Sequence, residues 1–281
     1  MKQFTICCLF YGNHPDLAER LLKSLDRAAW FPHIDIRVGM NNVSDGTRQL
    51  VHDAANRMPI TDVYVGNSPY YKYPLMRRMF FDHADATLND PFDNCSSRWA
   101  HPMIMSPYTM WFDDDSWVLP TALTCSNSLG ESSWLKRVAQ KLQTHEMIGA
   151  PYFKHLRGMQ HQFIEDQPWY NGQPVKHRQK ISFITGGWWT IHTRILMQHD
   201  WPPDNFEHNG GDVLLGELCR QHNYRLGKFT TGLAINADAS EKCSSAKRRG
   251  FSQPPIGVDY VRPKPRPVPT LFDVLDGKHA P

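Results

Sequence analysis

Long hydrophobic runs are missing from this 281-residue sequence, and no window approaches the roughly 18 uninterrupted apolar residues that a transmembrane helix needs. Cysteine is scarce: the chain has only 6, and they form neither a C-x-x-C pair nor a regular spacing. The 18 glycines and 21 prolines are too few for a collagen-like or low-complexity protein. These absences exclude a fibre, a disordered chain and a small disulfide scaffold, and they predict a globular protein with reduced thiols.

The composition that remains can bury a large core, because hydrophobic residues make up 41% of the chain and charged residues 21%. Residues 4–11 faintly resemble the core of a signal peptide, but no small-residue cleavage site follows them. The turn Gly12-Asn13-His14-Pro15 leads instead into an amphipathic segment. We therefore expect residues 4–11 to form the first strand of a cytoplasmic protein.

The net charge of +3 is unevenly distributed along the chain. Residues 242–266 contain seven Lys or Arg and one acid, and residues 151–180 contain five Lys or Arg and two acids. These segments therefore carry +6 and +3, which leaves −6 for the rest of the chain. Positive charge concentrated in this way indicates either an anionic partner or a solvated basic tail.

Apolar runs alternate with amphipathic segments in the first half, which is typical of an α/β fold with a mainly parallel sheet and helices on both faces. The predicted strands there are residues 4–11, 34–38, 62–65 and 108–112, and the predicted helices are 16–28, 44–57 and 75–83. In the second half we expect helices at 134–145, 193–199 and 213–222, a strand at 147–150, a Gly-interrupted pair of strands in 181–191, and the last strands in 225–235.

Three consecutive acids, Asp113-Asp114-Asp115, directly follow the predicted strand 108–112. Open α/β sheets bind ligands at the carboxyl ends of their strands, and adjacent carboxylates repel one another unless a cation neutralises them. Hard divalent cations are held by carboxylates together with substrate phosphates. The motif therefore predicts a metal–phosphate site rather than a solvated acidic turn, with Asp113 and Asp115 on one side of the extended chain and Asp114 on the other.

With this motif, the order of strands and helices resembles the GT-A fold of nucleotide-sugar glycosyltransferases, particularly family 2. Two later segments agree with the resemblance, which spans roughly residues 3–236. Thr185-Gly186-Gly187-Trp188-Trp189 is similar to the Gly-Gly-aromatic strand on the acceptor side of that family. Asn209-Gly210-Gly211-Asp212 stands where the family carries its catalytic acid at a helix N-terminus, although Gly211 replaces the family's Glu, so only Asp212 carries over.

The resemblance implies a metal-dependent, inverting glycosyltransferase whose donor is a nucleoside-diphosphate sugar, with UDP-sugar favoured. Mn²⁺ or Mg²⁺ would be held by Asp113 and Asp115, with His208 and His279 as candidates for a further ligand. Asp212 would be the catalytic base, and a plain helix cap is the other interpretation of this residue. The expected donor-binding residues are Phe10, Tyr11, Gly12, Asn41, Asn42, Arg77, Asp113 and Asp114. The expected acceptor-binding residues are Gly186, Gly187, Trp188, Trp189, Lys247, Arg248 and Arg249.

The resemblance also implies a domain organisation and an acceptor. A GT-A domain is expected at 1–240, with a nucleotide-sugar-binding half at 1–119 and an acceptor half at 120–240, followed by a basic Pro-rich C-terminal extension at 241–281. Aromatic and basic residues mingle between 152 and 180, which suits a sugar or an unstacked base, and a phosphate backbone would use the +6 segment. The chain further resembles small phage-encoded family 2 enzymes, some of which glycosylate hydroxymethylated pyrimidines in viral DNA, and this implies double-stranded DNA carrying 5-hydroxymethyl pyrimidine as the acceptor.

Other functions stay open from the sequence. The acceptor could be a polysaccharide, a lipid or a protein, and the chain could instead bind nucleotide sugar or nucleic acid without catalysis. A metal-dependent nucleotidyltransferase is a further alternative, although such an enzyme would more typically have a Gly-rich loop with Lys or Arg after its first strand. The segment Tyr11-Gly12-Asn13-His14-Pro15 contains no such loop.

Overall fold

The computed structural model describes residues 2–12, 14–66, 72–81, 104–120, 133–155, 164–174, 176, 179–203 and 211–237. The strands within these ranges are β1 (Phe4–Tyr11), β2 (Ile34–Asn41), β3 (Ile60–Gly66), β4 (Tyr108–Asp113), β5 (Trp117–Val118), β6 (Met147–His155), β7 (Lys180–His192), β8 (Leu226–Lys228) and β9 (Leu233–Ala234). The helices are α1 (Pro15–Leu25), α2 (Asp45–Ala55), α3 (Lys72–Phe81), α4 (Ser133–Leu142), α5 (Thr193–Gln198) and α6 (Gly211–Gln221).

Seven of these strands form one sheet in the order β3-β2-β1-β4-β7-β6-β8. Only β7 runs antiparallel to its neighbours, so the expected mainly parallel α/β sheet is confirmed. β5 and β9 pair as a small second sheet. No helix in the described part of the chain is long and apolar enough to cross a membrane.

β1 occupies the middle of the sheet and is buried along its whole length. Its side chains alternate between two hydrophobic clusters, one on each face of the sheet, as the pleat of a strand requires. The adjacent thiols of Cys7 and Cys8 therefore point to opposite faces, and both are free and fully buried. Burial raises the pKa of Cys7 to about 12, so this thiol stays protonated at neutral pH.

β2 continues past the predicted end at residue 38 as far as Asn41. The reason is close packing: a Cβ at Gly39 would lie 2.8 Å from the sulfur of Met79 on α3. The absence of a side chain at Gly39 lets α3 pack closely against β2, and the strand continues through this glycine. The prediction of a turn at 39–42 was therefore wrong for Gly39 and Met40, which are buried inside β2.

β7 is one continuous strand and not the predicted Gly-interrupted pair of strands. Gly186 and Gly187 lie where the register between β6 and β7 shifts, between Gly149 and Pro151. The glycines therefore allow an irregularity in the pairing without breaking the strand. β6 also continues beyond its predicted end at residue 150, as far as His155.

The first part of β7 projects past the end of β4. Phe112, next to the end of β4, pairs with Trp188, so residues 180–187 continue beyond the carboxyl edge of the parallel strands. There residues 180–184 pair with residues 151–155 of β6. We call these two paired segments the β6–β7 ribbon, and they form a wall beside the carboxyl edge of the sheet.

Candidate active site

The carboxyl ends of β1, β2 and β4 meet at one edge of the sheet because these strands are parallel neighbours. Tyr11 at the end of β1 pairs with Asn41 at the end of β2, and Leu9 pairs with Asp113 at the end of β4. The predicted position of the three acids, immediately after a buried strand, is confirmed. α3 begins at this same edge, since it follows β3, and its first two residues are Lys72 and Tyr73.

Asp113 is held by a cation and an indole. Nζ of Lys72 lies 2.9 Å from Oδ1 and 2.8 Å from Oδ2 of Asp113, and Nε1 of Trp111 donates to Oδ1 at 2.9 Å. The side chains of Lys72 and Asp113 are only 13% and 21% exposed. The negative charge of Asp113 is therefore balanced by Lys72 in a partly desolvated position, where such a pair interacts more strongly than at the surface.

Asp114 has a different environment. Its side chain is 1% exposed, and Oδ2 accepts a hydrogen bond from the backbone nitrogen of Tyr11 at 3.3 Å. The carboxylate thus ties the turn after β4 to the end of β1. The strand ends at Asp113, and Asp114 and Asp115 lie in the turn that follows; Asp113 and Asp115 are partly exposed, whereas Asp114 is buried.

Asp115 lies in the same turn and is partly exposed. Its Oδ1 is 3.4 Å from the hydroxyl of Ser116, and its backbone oxygen accepts from the backbone nitrogen of Ala237 at 2.9 Å. The hydroxyl of Ser116 also accepts from the backbone nitrogen of Asn236 at 3.1 Å. The segment after β9 therefore returns to the acidic turn, close to the start of the predicted basic extension.

Asp212 is brought to the same edge by α6. It is the second residue of the helix, and its Oδ1 accepts from the backbone nitrogen of Val213 at 2.9 Å. A Cβ at Gly186 would lie 3.7 Å from Nζ of Lys72 and 4.0 Å from Cβ of Asp212. Lys72 and Asp212 therefore both border the space in front of Gly186, and Lys72 also binds the carboxylate of Asp113.

Burial raises the pKa of Asp212, and the nearby carboxylate of Asp113 raises it further. The hydrogen bond from Val213 and the charges of Lys72 and Lys154 act in the opposite direction. The pKa of Tyr73 is also raised, first by burial and then by the carboxylates of Asp212 and Asp113. Tyr73 consequently stays neutral, and its hydroxyl hydrogen-bonds the backbone of Gly211.

A divalent cation at this edge would need oxygen atoms from a bound substrate in addition to those of the protein. Within the described ranges, no group of three or more His, Cys, Asp or Glu side chains converges as a metal site would. Asp115 offers a partly exposed carboxylate, whereas Asp113 already has Lys72 as its cation. This set suits Mg²⁺ or Mn²⁺ bound by one or two carboxylates that takes its remaining ligands from a diphosphate.

Two predicted acceptor-binding residues are placed elsewhere by the structure. Trp188 is fully buried and packs against Trp134 and Phe112. Trp189 is 2% exposed and stacks on Trp111 with ring centroids 5.9 Å apart. The prediction that these indoles contact an acceptor was therefore wrong, because both belong to the core. Gly186 and Gly187 do lie at the carboxyl edge.

Arg77 was predicted to bind the donor, but its guanidinium is held by the segment that follows α5. It donates to the backbone oxygens of Asp200 and Pro202 and lies 2.8 Å from the carboxylate of Asp200. Arg77 therefore joins α3 to the segment after α5, and that prediction was also wrong. Lys72, one turn earlier in the helix, is the cation that reaches the acids.

The other predicted donor residues line the ends of β1 and β2. Phe10, Tyr11 and Asn41 are buried, with exposed fractions of at most 3%, and Gly12 adopts a positive φ of 56°. Asn42 also has a positive φ, of 50°, and its side chain is exposed. Of the two asparagines expected to bind the donor, Asn42 is therefore the one whose side-chain amide is at the surface.

Several expected residues lie outside the described ranges: Lys247, Arg248, Arg249, His208 and His279. Their roles stay predictions, as does the division at residues 119 and 240.

The sequence reasoning missed Tyr73, Ser116 and Asn236. Ser116 and Asn236 join the acidic turn to the end of the described chain, and Tyr73 supports the start of α6. A contact between residues 116 and 236 has no signature in one sequence. The position of Tyr73 in the first turn of a helix that starts at the carboxyl edge was a usable signal.

Comparison with known proteins gives similar structures only. No protein-family model and no curated protein matches the sequence. S. aureus TarS 1–349 is 13% identical, with a TM-score of 0.47 over 82% of this chain and 58% of TarS 1–349, and one of its structures contains UDP-GlcNAc. The mannosyltransferase PcManGT from Pyrobaculum calidifontis, in complex with GDP-Man and Mn²⁺, is 14% identical, with a TM-score of 0.47 over 81% of this chain and 54% of its own. HddC from Yersinia pseudotuberculosis is 7% identical, with a TM-score of 0.41 over 88% of this chain and 99% of its own.

Proposed function

We propose that the protein is a glycosyltransferase that moves a sugar from a nucleoside-diphosphate sugar to a hydroxyl group. One observation carries the proposal: Nζ of Lys72, which binds Asp113 in the acidic motif after β4, and the partly buried Asp212 both border the space in front of Gly186. A site of this kind has oxygen ligands and a cation for a diphosphate at one end and a candidate base at the other.

Asp212 is suited to act as a general base. A base works best when its pKa lies near the working pH, and burial moves the pKa of Asp212 upward from its ordinary value. Oδ1 accepts the hydrogen bond from Val213, and Oδ2 is the oxygen proposed to accept the proton. In the proposed step the acceptor hydroxyl gives its proton to Asp212 while its oxygen bonds to the anomeric carbon. The bond between that carbon and the diphosphate oxygen breaks, and the nucleoside diphosphate leaves with the electron pair.

The other residues prepare this displacement. Lys72 holds Asp113 and brings positive charge to the place where diphosphate charge develops. Asp114 fixes the turn to the end of β1, where the nucleoside is proposed to lie. Mn²⁺ or Mg²⁺ held by Asp115, with Asp113 as a shared partner, would stabilise the leaving diphosphate as a Lewis acid.

The finer assignment is a UDP-sugar donor and a 5-hydroxymethyl pyrimidine in DNA as acceptor. It is supported by the resemblance of the sequence to phage-encoded family 2 enzymes and by the basic segment 242–266, which carries +6. A neutral saccharide acceptor would not interact electrostatically with this positive charge, whereas a phosphate backbone would.

The test is nucleoside mass spectrometry after incubation with Mn²⁺, a panel of nucleotide sugars that includes UDP-GlcNAc and GDP-Man, and DNA carrying 5-hydroxymethyl pyrimidines. We expect a sugar-sized mass gain on the modified base with wild-type protein and none with Asp115→Ala. The matched control is Asp53→Ala, since Asp53 lies on α2 with its side chain 51% exposed.

The by-products separate the alternatives. Release of nucleoside diphosphate without a gain on DNA keeps glycosyl transfer and moves the acceptor to a saccharide, lipid or protein. Release of pyrophosphate in a parallel incubation with nucleoside triphosphates and sugar 1-phosphates identifies a nucleotidyltransferase. Release of neither product, with every donor tested, would leave a binding protein and overturn the proposal.

A further inference from the structure

Two neighbouring aromatic residues on β6 are strongly exposed. Tyr152 is 61% and Phe153 65% exposed, and Met105 at 73% is the other large apolar side chain with such exposure in the described part of the chain. Tyr152 and Phe153 belong to the β6–β7 ribbon, at the edge of the sheet where Asp212 lies. Because neighbouring residues of a strand point to opposite faces, the two rings belong to different surfaces of the ribbon.

Only one of the two faces of the β6–β7 ribbon is argued to lie next to Asp212. Tyr152 pairs with Phe183 and Lys154 pairs with Ile181, so Tyr152 and Lys154 lie on one face and Phe153 on the other. The rings of Tyr152 and Phe183 are 6.3 Å apart. A Cβ at Gly216 would overlap Phe183, the partner of Tyr152, so α6, the helix that carries Asp212, packs on the face with Tyr152 and Lys154. The charge of Lys154 also acts on the carboxylate of Asp212.

An aromatic ring and a cation two residues apart on a strand favour one class of partner. A nucleic-acid strand offers bases that stack on aromatic side chains and phosphates that pair with Lys or Arg. A neutral glycan would stack on the ring but would have no charge for Lys154. The segment 151–180 has a net charge of +3, which is complementary to a polyanion.

We propose that the Tyr152–Lys154 face of the β6–β7 ribbon is the docking surface for the DNA strand whose modified base is glycosylated. A base next to the target stacks on Tyr152, and a phosphate of the same strand pairs with Lys154. The target hydroxyl is thereby held beside Asp212. This inference rests on the proposed function, and it adds the surface that selects a nucleic-acid acceptor.

The test is fluorescence anisotropy with labelled single-stranded DNA that carries one 5-hydroxymethyl pyrimidine, measured over a series of salt concentrations. Tyr152→Ala should raise the Kd roughly 5- to 100-fold, as the loss of one base–aromatic stack does. Lys154→Gln should reduce the slope of log Kd against log salt by about 0.7 to 0.9, the value for one phosphate contact.

Three exposed residues supply matched controls. Phe153→Ala removes an aromatic ring of similar exposure from the opposite face of the same strand. Met105→Ala removes an apolar side chain just before β4, at the other edge of the sheet. Lys23→Gln removes a cation from the last turn of α1. All three should bind DNA with the affinity and salt slope of the wild type, and thermal unfolding should show that every variant is folded.

The outcomes distinguish this inference from the proposed function. Wild-type affinity and salt slope in both Tyr152→Ala and Lys154→Gln would overturn the docking surface, and so would equal losses in Phe153→Ala. Transfer only to an anionic glycan such as a polyol phosphate would overturn the nucleic-acid partner while leaving glycosyl transfer intact. Failure to release nucleoside diphosphate from any donor would remove the proposed function, while the anisotropy would still report whether the ribbon binds DNA.

Discussion

Lys72 binds both carboxylate oxygens of Asp113, at 2.9 and 2.8 Å, although the two residues are 41 positions apart in the chain. Among the described residues, removal of the cation leaves a partly buried carboxylate with the indole of Trp111 as its side-chain donor. We expect Lys72→Met to lower the rate of nucleoside diphosphate release about 10²- to 10³-fold, as the loss of a charge-stabilising donor does. Lys72→Arg should restore part of the rate, and a Lys72→Met protein as active as the wild type would contradict the assignment.

Asp212→Asn removes the proposed base and keeps the size of the side chain. Transfer should fall about 10²- to 10⁴-fold, because proton removal from the acceptor contributes about this factor. Donor affinity should stay near that of the wild type, since the proposed role of Asp212 is to bind the acceptor hydroxyl. Calorimetric titration with the nucleotide sugar and a separate transfer assay give the two quantities, and unchanged transfer would remove Asp212 from the mechanism.

The acid side of the pH–rate profile reports the same carboxylate. Burial raises the pKa of Asp212, and the charge of Lys154 lowers it. Lys154→Gln should therefore move the acid limb of kcat to higher pH, because the base then loses its proton less readily. Lys23→Gln, which removes a distant cation, should leave the limb in place. A shift to lower pH in Lys154→Gln would contradict this electrostatic relation.

A buried ion pair supports α3 from beneath. Nε of Arg37 lies 3.1 Å from Oδ2 of Asp62, with side chains 4% and 1% exposed, and Arg37 also donates to the backbone oxygen of Met79 at 2.6 Å. Asp62→Ala leaves the guanidinium charge buried without its carboxylate and should cost about 3–5 kcal/mol of unfolding free energy. Asp35→Ala, whose side chain is 32% exposed, should cost about 1 kcal/mol or less in the same urea titration.

His199 makes the stability of the fold depend on pH. Burial and the neighbouring His222 lower the pKa of His199 to about 4. His199 takes up a proton near pH 6.5 in the unfolded chain but only near pH 4 in the folded chain. The free energy of unfolding should therefore fall as the pH drops from about 6.5 to about 4. His199→Gln should flatten that fall in unfolding titrations between pH 7 and 4, whereas His52→Gln on the exposed side of α2 should not.

Gly186 and Gly187 should respond differently to alanine. A Cβ at Gly187 would overlap Oδ1 of Asn236 and lie 2.8 Å from the hydroxyl of Ser116, so Gly187→Ala should cost about 1–3 kcal/mol of stability. A Cβ at Gly186 meets only ordinary contacts, the nearest at 3.7 Å, and Gly186→Ala should fold normally. Its methyl group would nevertheless occupy the space beside Lys72 and Asp212, so transfer should slow. Thermal unfolding and transfer assays on both variants check this contrast.

The sequence predicted best where one local pattern decides the structure. The continuous apolar run Phe4–Tyr11 is the central strand with the predicted bounds, because only a strand covered on both faces tolerates such a run. The position of Asp113 at the end of β4 followed from the same logic. Ser44 was correctly placed at the start of α2, where its hydroxyl accepts from the backbone nitrogen of Thr47.

Predictions failed where the environment of a side chain is determined by residues that are distant in the chain. Trp188 and Trp189 looked like binding residues, but the aromatic side chains of β4, α3 and α4 bury them. Arg77 forms an ion pair with Asp200, which is more than 120 residues away in the chain. The sequence around Arg77 does not distinguish it from Lys72, the cation that binds Asp113.

The single antiparallel strand of the sheet has a consequence for engineering. β7 binds β4 with its second half and builds the β6–β7 ribbon with its first half, and Trp111 and Trp189 stack across the β4–β7 pair. Residues 1–119 expressed alone would expose an unpaired edge of β4 and half of this stack, which invites aggregation. Exchange of one chain half for that of another protein is therefore a poor route to a new acceptor, and grafting the short segments 151–155 and 180–184 onto an intact sheet is the better one.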